Sequence, residues 1–273
     1  MRSTSPPSAA GVRLPYAQVP ERVRAWVDQQ LGSPVTTAVT QQGGMSPGCA
    51  ARLRTADGQT AFVKAVGSDL NPQTPELFRH EIEVLSRLRP AAYRPRVLGH
   101  HDDGDWVALL LEDVDGHHPD FDDPAQADAV WSTVATQSTE LTPPPAGLAI
   151  TTLADNARRW AGGWATMAAD PARLLPEWAV AQADELAERA TALATRLPVE
   201  SLCHWDVRND NLLIRPDGTA VILDWGMSRL GPRWADPFLL SLAWADRPEF
   251  DARAATLDAD PTTVTDLLIG LGG

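Results

Sequence analysis

Cysteine is nearly missing from this chain. Two in 273 residues, Cys49 and Cys203, cannot build a disulfide framework and are too few for a cysteine-based zinc site, so both are expected reduced and structural. Also missing is any run of eighteen apolar residues, and residues 1 to 20 hold four prolines and no apolar segment of signal-peptide type. Neither a membrane span nor a secretory signal is expected, and the cytoplasm is the default location. Basic charge is scarce as well: 23 Lys and Arg stand against 36 Asp and Glu, a net charge of −13. That balance argues against a nucleic-acid partner, which would need cations for the phosphate backbone. The shortage is uneven, with 12 basic against 13 acidic residues over 1 to 115 and 11 against 23 over 116 to 273. Lysine is rarest of all, Lys64 alone against 22 arginines.

What is present is 44% apolar residues, ample for the core of one large domain or two smaller ones. The most informative stretch runs His204-Trp205-Asp206-Val207-Arg208-Asn209-Asp210-Asn211, then Leu212-Leu213-Ile214, Arg215-Pro216-Asp217-Gly218, Ala220-Val221-Ile222-Leu223 and Asp224-Trp225-Gly226. The two short branched runs around Pro-Asp-Gly predict a β-hairpin. Its closure brings Asn211 and Asp224 onto neighbouring strands about 4.8 Å apart. An amide oxygen and a carboxylate so placed suit Mg²⁺. Asp206, five residues earlier, is positioned to take a proton from a substrate hydroxyl.

Upstream, residues 1 to 15 read as a loosely attached leader. Val23, Trp26, Val27 and Leu31 at helical spacing predict a helix over 20 to 31, between Pro20 and Gly32. Strands are expected near 34 to 40, 50 to 55 and 60 to 66, the first two joined by a loop containing Gly43, Gly44 and Ser46. Glycines between strands let backbone N–H groups approach a phosphate, although an ordinary hairpin loop looks the same. Lys64 weighs for the first reading. In a composition that uses arginine for general charge, a lone lysine inside an apolar strand suggests a site wanting a compact ammonium. Buried there it needs a carboxylate, and the helical stripe over 76 to 89 offers Glu81 or Glu83. Further strands are expected at 96 to 99 and 106 to 111, the latter passing into Glu112-Asp113-Val114. The doublets His100-His101 and His117-His118 are disfavoured as metal ligands, since adjacent residues face apart. Helices are expected at roughly 124 to 141, 151 to 169 and 176 to 197.

His-x-Asp-x-x-x-x-Asn followed by Asp-x-Gly has the spacing of the kinase catalytic loop and metal motif. Trp205, Trp225 and the lack of a downstream Ala-Pro-Glu point away from protein substrates. The chain resembles the aminoglycoside phosphotransferase and choline kinase-like family of small-molecule kinases, in which glycine is more usual where Trp205 stands. The resemblance implies a bilobal, protein-kinase-like α+β fold: a leader over 1 to 15, a nucleotide-binding lobe over 16 to 115 with a five-stranded antiparallel sheet, and a mainly helical lobe over 116 to 273. It implies ATP and Mg²⁺ as cofactors. Catalysis falls to Asp206, Arg208 and His204, and metal binding to Asn211 and Asp224. Nucleotide binding falls to Lys64, Gly43, Gly44, Ser46 and the hinge residues Glu112 and Val114. The register Glu81-x-x-x-Leu85-x-x-Leu88 selects Glu81 as the partner of Lys64, and residues 234 to 245 resemble the family's post-motif helix, in which Asp236 is expected to anchor the catalytic loop. The implied activity is phosphorylation of a small-molecule hydroxyl, an amine-bearing acceptor of aminoglycoside type being favoured by the acidic second part, with Asp120, Asp122, Asp123 and Asp155 as candidate carboxylates. The alternative is a catalytically silent nucleotide-binding regulator.

Overall fold

The computed structural model describes residues 13–41, 47–169 and 177–272. In chain order they form α1 (Glu21–Leu31), β1 (Val35–Thr40), β2 (Cys49–Thr55), β3 (Thr60–Gly67), α2 (Thr74–Arg87), β4 (Val97–Asp102), β5 (Trp106–Leu111), α3 (Pro124–Glu140), α4 (Leu153–Ala169), α5 (Glu177–Ala181) and α6 (Ala183–Leu193). There follow β6 (Ser201–Cys203), β7 (Leu212–Ile214), β8 (Ala220–Ile222), β9 (Arg229–Gly231), α7 (Ala235–Ser241), α8 (Glu249–Ala254) and α9 (Pro261–Gly272). By internal contact the chain divides into one unit running to Val134 and including Asp206–Ser228, and a second of Ala135–Trp205 with Arg229 onward.

The first unit is organised on a five-stranded sheet of order β1-β2-β3-β5-β4, every pair antiparallel. Alternation along β3 decides what each face carries. Ala61, Val63 and Ala65 join a core with Val23, Val27 and Leu31 of α1, while Val66 packs with Phe78 and Ile82 of α2. Lys64 shares the parity of Val66, so its side chain belongs to the α2 face. All six residues of β5 are buried, because Ala108 and Leu110 serve the α1 core and Val107 the α2 core. A strand covered on both faces needs a continuous apolar run rather than alternation, which is how Trp106-Val107-Ala108-Leu109-Leu110-Leu111 reads. The hairpin of β7 and β8 pairs Leu212 with Ile222 and Ile214 with Ala220. Its turn places Gly218 at φ 85, a conformation that glycine adopts without steric cost.

The second unit is mostly helical. Its core gathers Leu153 and Ala157 of α4, Leu193 of α6, Trp205, Phe238 of α7 and Leu267 of α9. The helix expected over 176 to 197 is interrupted at Gln182, which leaves helical geometry with φ −112 and ψ 9. Buried Asp266 of α9 accepts Arg189 Nε at 2.7 Å and also pairs with Arg196. Among the described residues no helix is long and apolar enough to cross a membrane.

Candidate active site

Lys64, Glu81 and Asp224 meet within the first unit although they are far apart in sequence. Lys64 Nζ donates to both oxygens of Glu81, at 2.9 and 2.8 Å, and to Asp224 Oδ1 at 2.7 Å. Burial opposes the charge on Lys64, but the carboxylates of Asp224 and Glu81 outweigh it and hold the ammonium above its ordinary value. The same burial pushes Glu81 up, against the pull of Lys64. The backbone N–H of Trp225 also donates to Glu81, at 3.2 Å, so α2 is tied to the segment that carries Asp224. Asp224 itself sits at φ 62 and ψ 71. For a residue other than glycine that backbone costs about 1–3 kcal/mol, and such strain gathers at functional positions.

The hairpin supplies the remaining polar groups. Leu223 N–H donates to the Asn211 carbonyl at 2.8 Å, closing the base of the hairpin and bringing the ends of the motif together. Asn211 Nδ2 donates to Asp206 Oδ2 at 2.7 Å and to the Asp206 carbonyl at 2.9 Å. With its N–H groups turned to Asp206, the amide keeps its oxygen for a cation. Arg208 Nε lies 3.2 Å from Asp206 Oδ1 and 3.0 Å from Asp210 Oδ1. Two donors on different sides therefore fix the Asp206 carboxylate.

A cavity of about 260 Å³ adjoins these groups. Ala50, Phe62, Leu111, Val114, Leu213 and Leu223 form its apolar wall, and Lys64, Asn211 and Asp224 its polar one. Apolar and charged walls in one cavity suit a flat base joined to a polyphosphate. Glu112 and Val114 line it too, with Arg52 Nη2 donating to the Val114 carbonyl at 3.1 Å. The Glu112 carboxylate pairs with Arg215 at 2.8 Å. Burial would raise that carboxyl, but the Arg96 N–H and the Arg215 guanidinium bring it below its ordinary value. Oxygen donors from Asn211 and Asp224 fit a hard divalent cation that completes its coordination with phosphate and water.

His204 belongs to the second unit. It is fully buried, and Asp236 accepts its N–H at 2.7 Å and that of Trp205 at 2.8 Å, with Gln137 Nε2 at 3.1 Å. Asp236 thus anchors the backbone of His204 and Trp205. Trp205 is held at φ 61 with its ring 6.1 Å from that of Trp160. Gly43, Gly44 and Ser46 lie outside the described residues. Of the acidic candidates, Asp123 accepts the Ala125 N–H at 2.9 Å and Asp155 accepts Thr152 Oγ1 at 2.8 Å, so these two carboxylates are engaged at helix starts.

Among the cavity residues that the sequence reading missed are Arg13, Arg52 and His118. His118 Nδ1 reaches the carbonyls of Asn209 and Leu212 at 3.2 and 3.0 Å, steadying the loop between Asp206 and Asn211. No local pattern signals that role. Arg13 sits at the end of the stretch read as leader, while Arg52 follows from strand alternation only once the neighbours of β2 are known.

A lysine gripped by a helix glutamate and a motif aspartate, beside an asparagine bonded to the preceding aspartate, defines a kinase-like phosphotransferase. The sequence model of the phosphotransferase enzyme family matches residues 50–266, and the chain belongs to that family. Membership makes it a phosphotransferase by family. No curated protein sequence matches it. Many solved structures are similar in fold, and three of them illustrate the likeness. A thermostable mutant of aminoglycoside phosphotransferase APH(4)-Ia, in ternary complex with AMP-PNP and hygromycin B, is 15% identical, with 93% of this chain and 89% of that one covered at a TM-score of 0.61. Choline kinase LicA from Streptococcus pneumoniae is 12% identical over 92% and 90%, TM-score 0.59. Macrolide 2'-phosphotransferase MphH from Brachybacterium faecium is 16% identical over 93% and 91%, TM-score 0.59.

Proposed function

We propose that this protein transfers the terminal phosphoryl group of ATP to a hydroxyl of an amine-bearing small molecule, with Mg²⁺ as the metal. The observation that carries the reading is the triple engagement of Lys64 with Glu81 and Asp224 at the wall of a cavity. Bound ATP supplies the transferable phosphoryl group, and bound Mg²⁺ offsets its negative charge. Lys64 holds the phosphates and Glu81 holds Lys64, while Asn211 and Asp224 contribute the metal's protein oxygens. Glu112 and Val114 offer hinge backbone groups to the base. Asp206, oriented by Asn211 and Arg208, would accept the hydroxyl proton as the acceptor oxygen bonds to the terminal phosphorus and the bond from that phosphorus to the bridging oxygen breaks, releasing ADP. Arg208 offsets charge on the phosphoryl group in transfer. His204 acts as a positioning residue through its buried backbone. We assign nucleotide binding to residues 16 to 115 and the acceptor to 116 to 273. The latter segment carries −12 of the net −13, and a carboxylate-rich cleft concentrates cations.

Support for the small-molecule acceptor comes from the fold likeness to the hygromycin B, choline and macrolide enzymes. The test is a coupled ADP-release screen across aminoglycosides, other hydroxylated antibiotics, choline-like amines and sugars, with Asp206→Asn as control. Acceptor-dependent ADP release that vanishes in the control supports the proposal. ATP binding without release for any acceptor favours the silent regulator.

A further inference from the structure

The segment ahead of α1 carries a cation into the cavity. Arg13 forms an isolated parallel bridge with Gly48, and Leu14 N–H donates to the Gly48 carbonyl at 3.0 Å. Gly48 is itself pinned: at φ 122, a Cβ there would stand 2.7 Å from the Ala65 carbonyl oxygen. The bridge therefore fixes residues 13 and 14 against the start of β2, where Cys49 and Ala50 pair with Ala65 and Lys64. From that position Arg13 lines the same cavity as Lys64, Asn211 and Asp224.

A guanidinium drawn into such a cavity loses hydration and needs anionic company. Burial pulls Arg13 below its ordinary value, while the Asp224 carboxylate and the Cys49 thiol oppose that shift. The other carboxylates lining the cavity, Glu112, Asp113 and Asp210, pair with Arg215, Arg52 and Arg208, so around Asp224 two cations, Lys64 and Arg13, face two carboxylates, Glu81 and Asp224, and the local balance is close to neutral. Once Asp224 serves a divalent metal, the pair of cations keeps Glu81 alone as a counter-charge. The surplus is positive and suits phosphate oxygens, to which a guanidinium can donate two parallel bonds. Arg13 also falls outside the stretch 50–266 matched by the family model.

We propose that Arg13 is a second cationic contact for the nucleotide's polyphosphate, supplied by the segment preceding α1. This rests on the reading of the cavity as the ATP site. The test is titration of the full chain, in the presence of Mg²⁺, with ATP, ADP, AMP and adenosine, for wild type, Arg13→Met and Arg13→Lys. Methionine keeps an apolar stem, lysine keeps a charge, and the ratio of ATP to adenosine affinity cancels any loss of folded protein. Losing a charge-assisted contact predicts about ten- to hundredfold weaker ATP and ADP binding in Arg13→Met. Adenosine affinity should stay within about twofold, and Arg13→Lys should recover most of the ATP loss. An unchanged ratio in Arg13→Met, whether ATP affinity holds or falls in step with adenosine, overturns the proposal and makes Arg13 a structural clamp. Failure of the wild type to bind any of the four ligands would instead remove the ATP site itself.

Discussion

Replacing Lys64 by methionine tests how the central cluster is held together. Glu81 is 1% exposed, and two of its three resolved contacts, at 2.9 and 2.8 Å, come from Lys64; the third is the Trp225 N–H at 3.2 Å. Breaking a buried pair by removing one partner costs about 3–5 kcal/mol, a large share of a stability of roughly 5–15 kcal/mol. The loss should depend on pH. Burial already raises the Glu81 carboxyl against the pull of Lys64, and without Lys64 it rises further. A carboxyl with a folded value above its unfolded one binds more protons in the native state. Its contribution is therefore most favourable below the unfolded value and is lost as pH rises through the folded one. Each pH unit in that window costs about 1.4 kcal/mol. Urea unfolding of Lys64→Met between pH 5 and 8, referenced to wild type at each pH, should show a penalty that is small in acid and grows toward neutrality. The double variant Lys64→Met/Glu81→Leu, with both charges gone, should recover most of the stability at pH 8 while binding no nucleotide. A penalty independent of pH, or a double variant no more stable than the single one, would refute the reasoning.

Asp206→Asn should lower turnover by about 10²- to 10⁴-fold while ATP affinity, measured by titration, stays near wild type; near-normal turnover removes Asp206 from the chemistry. In Asp224→Ala, Mg²⁺ should no longer strengthen nucleotide binding. Normal Mg-ATP affinity in that variant counts against the metal assignment. For a cationic acceptor, kcat/KM should fall as ionic strength rises, whereas a neutral analogue should show little change. Equal values without salt dependence would leave the acidity of residues 116 to 273 as a matter of solubility.

The sheet was legible because its strands announce themselves locally. Expected strands at 34 to 40, 60 to 66 and 106 to 111 correspond to Val35–Thr40, Thr60–Gly67 and Trp106–Leu111, where branched and apolar runs end at turn residues. That Lys64 would meet a carboxylate of the following helix was legible from the strand and the helical stripe, and the family register singled out Glu81 over Glu83; the bond from Asn211 to Asp206 was not foreseen. What stayed hidden depends on partners remote in sequence. The short pairing of β6 with β9 joins residues 201–203 to 229–231, three-residue segments too brief to carry a period. The break at Gln182 leaves no sequence mark, because alanine-rich flanks read as one helix. Arg13 was invisible for a related reason: a Pro- and Ser-rich beginning suggests chain with nothing to bury, and only the bridge to Gly48 shows where its last residues go.

The chain's single ε-amine is the one held between Glu81 and Asp224, and this makes the site chemically addressable. An acylating reagent aimed at lysine has one side-chain target, 14% exposed and kept protonated by two carboxylates. In that state it is a poor nucleophile, so its acylation rate reports how often the carboxylates let go. Trypsin would cut this sequence at arginines and at Lys64, and each acylation event would erase one cleavage. A peptide map then reads the occupancy of the cluster directly, with no second lysine to confuse the count.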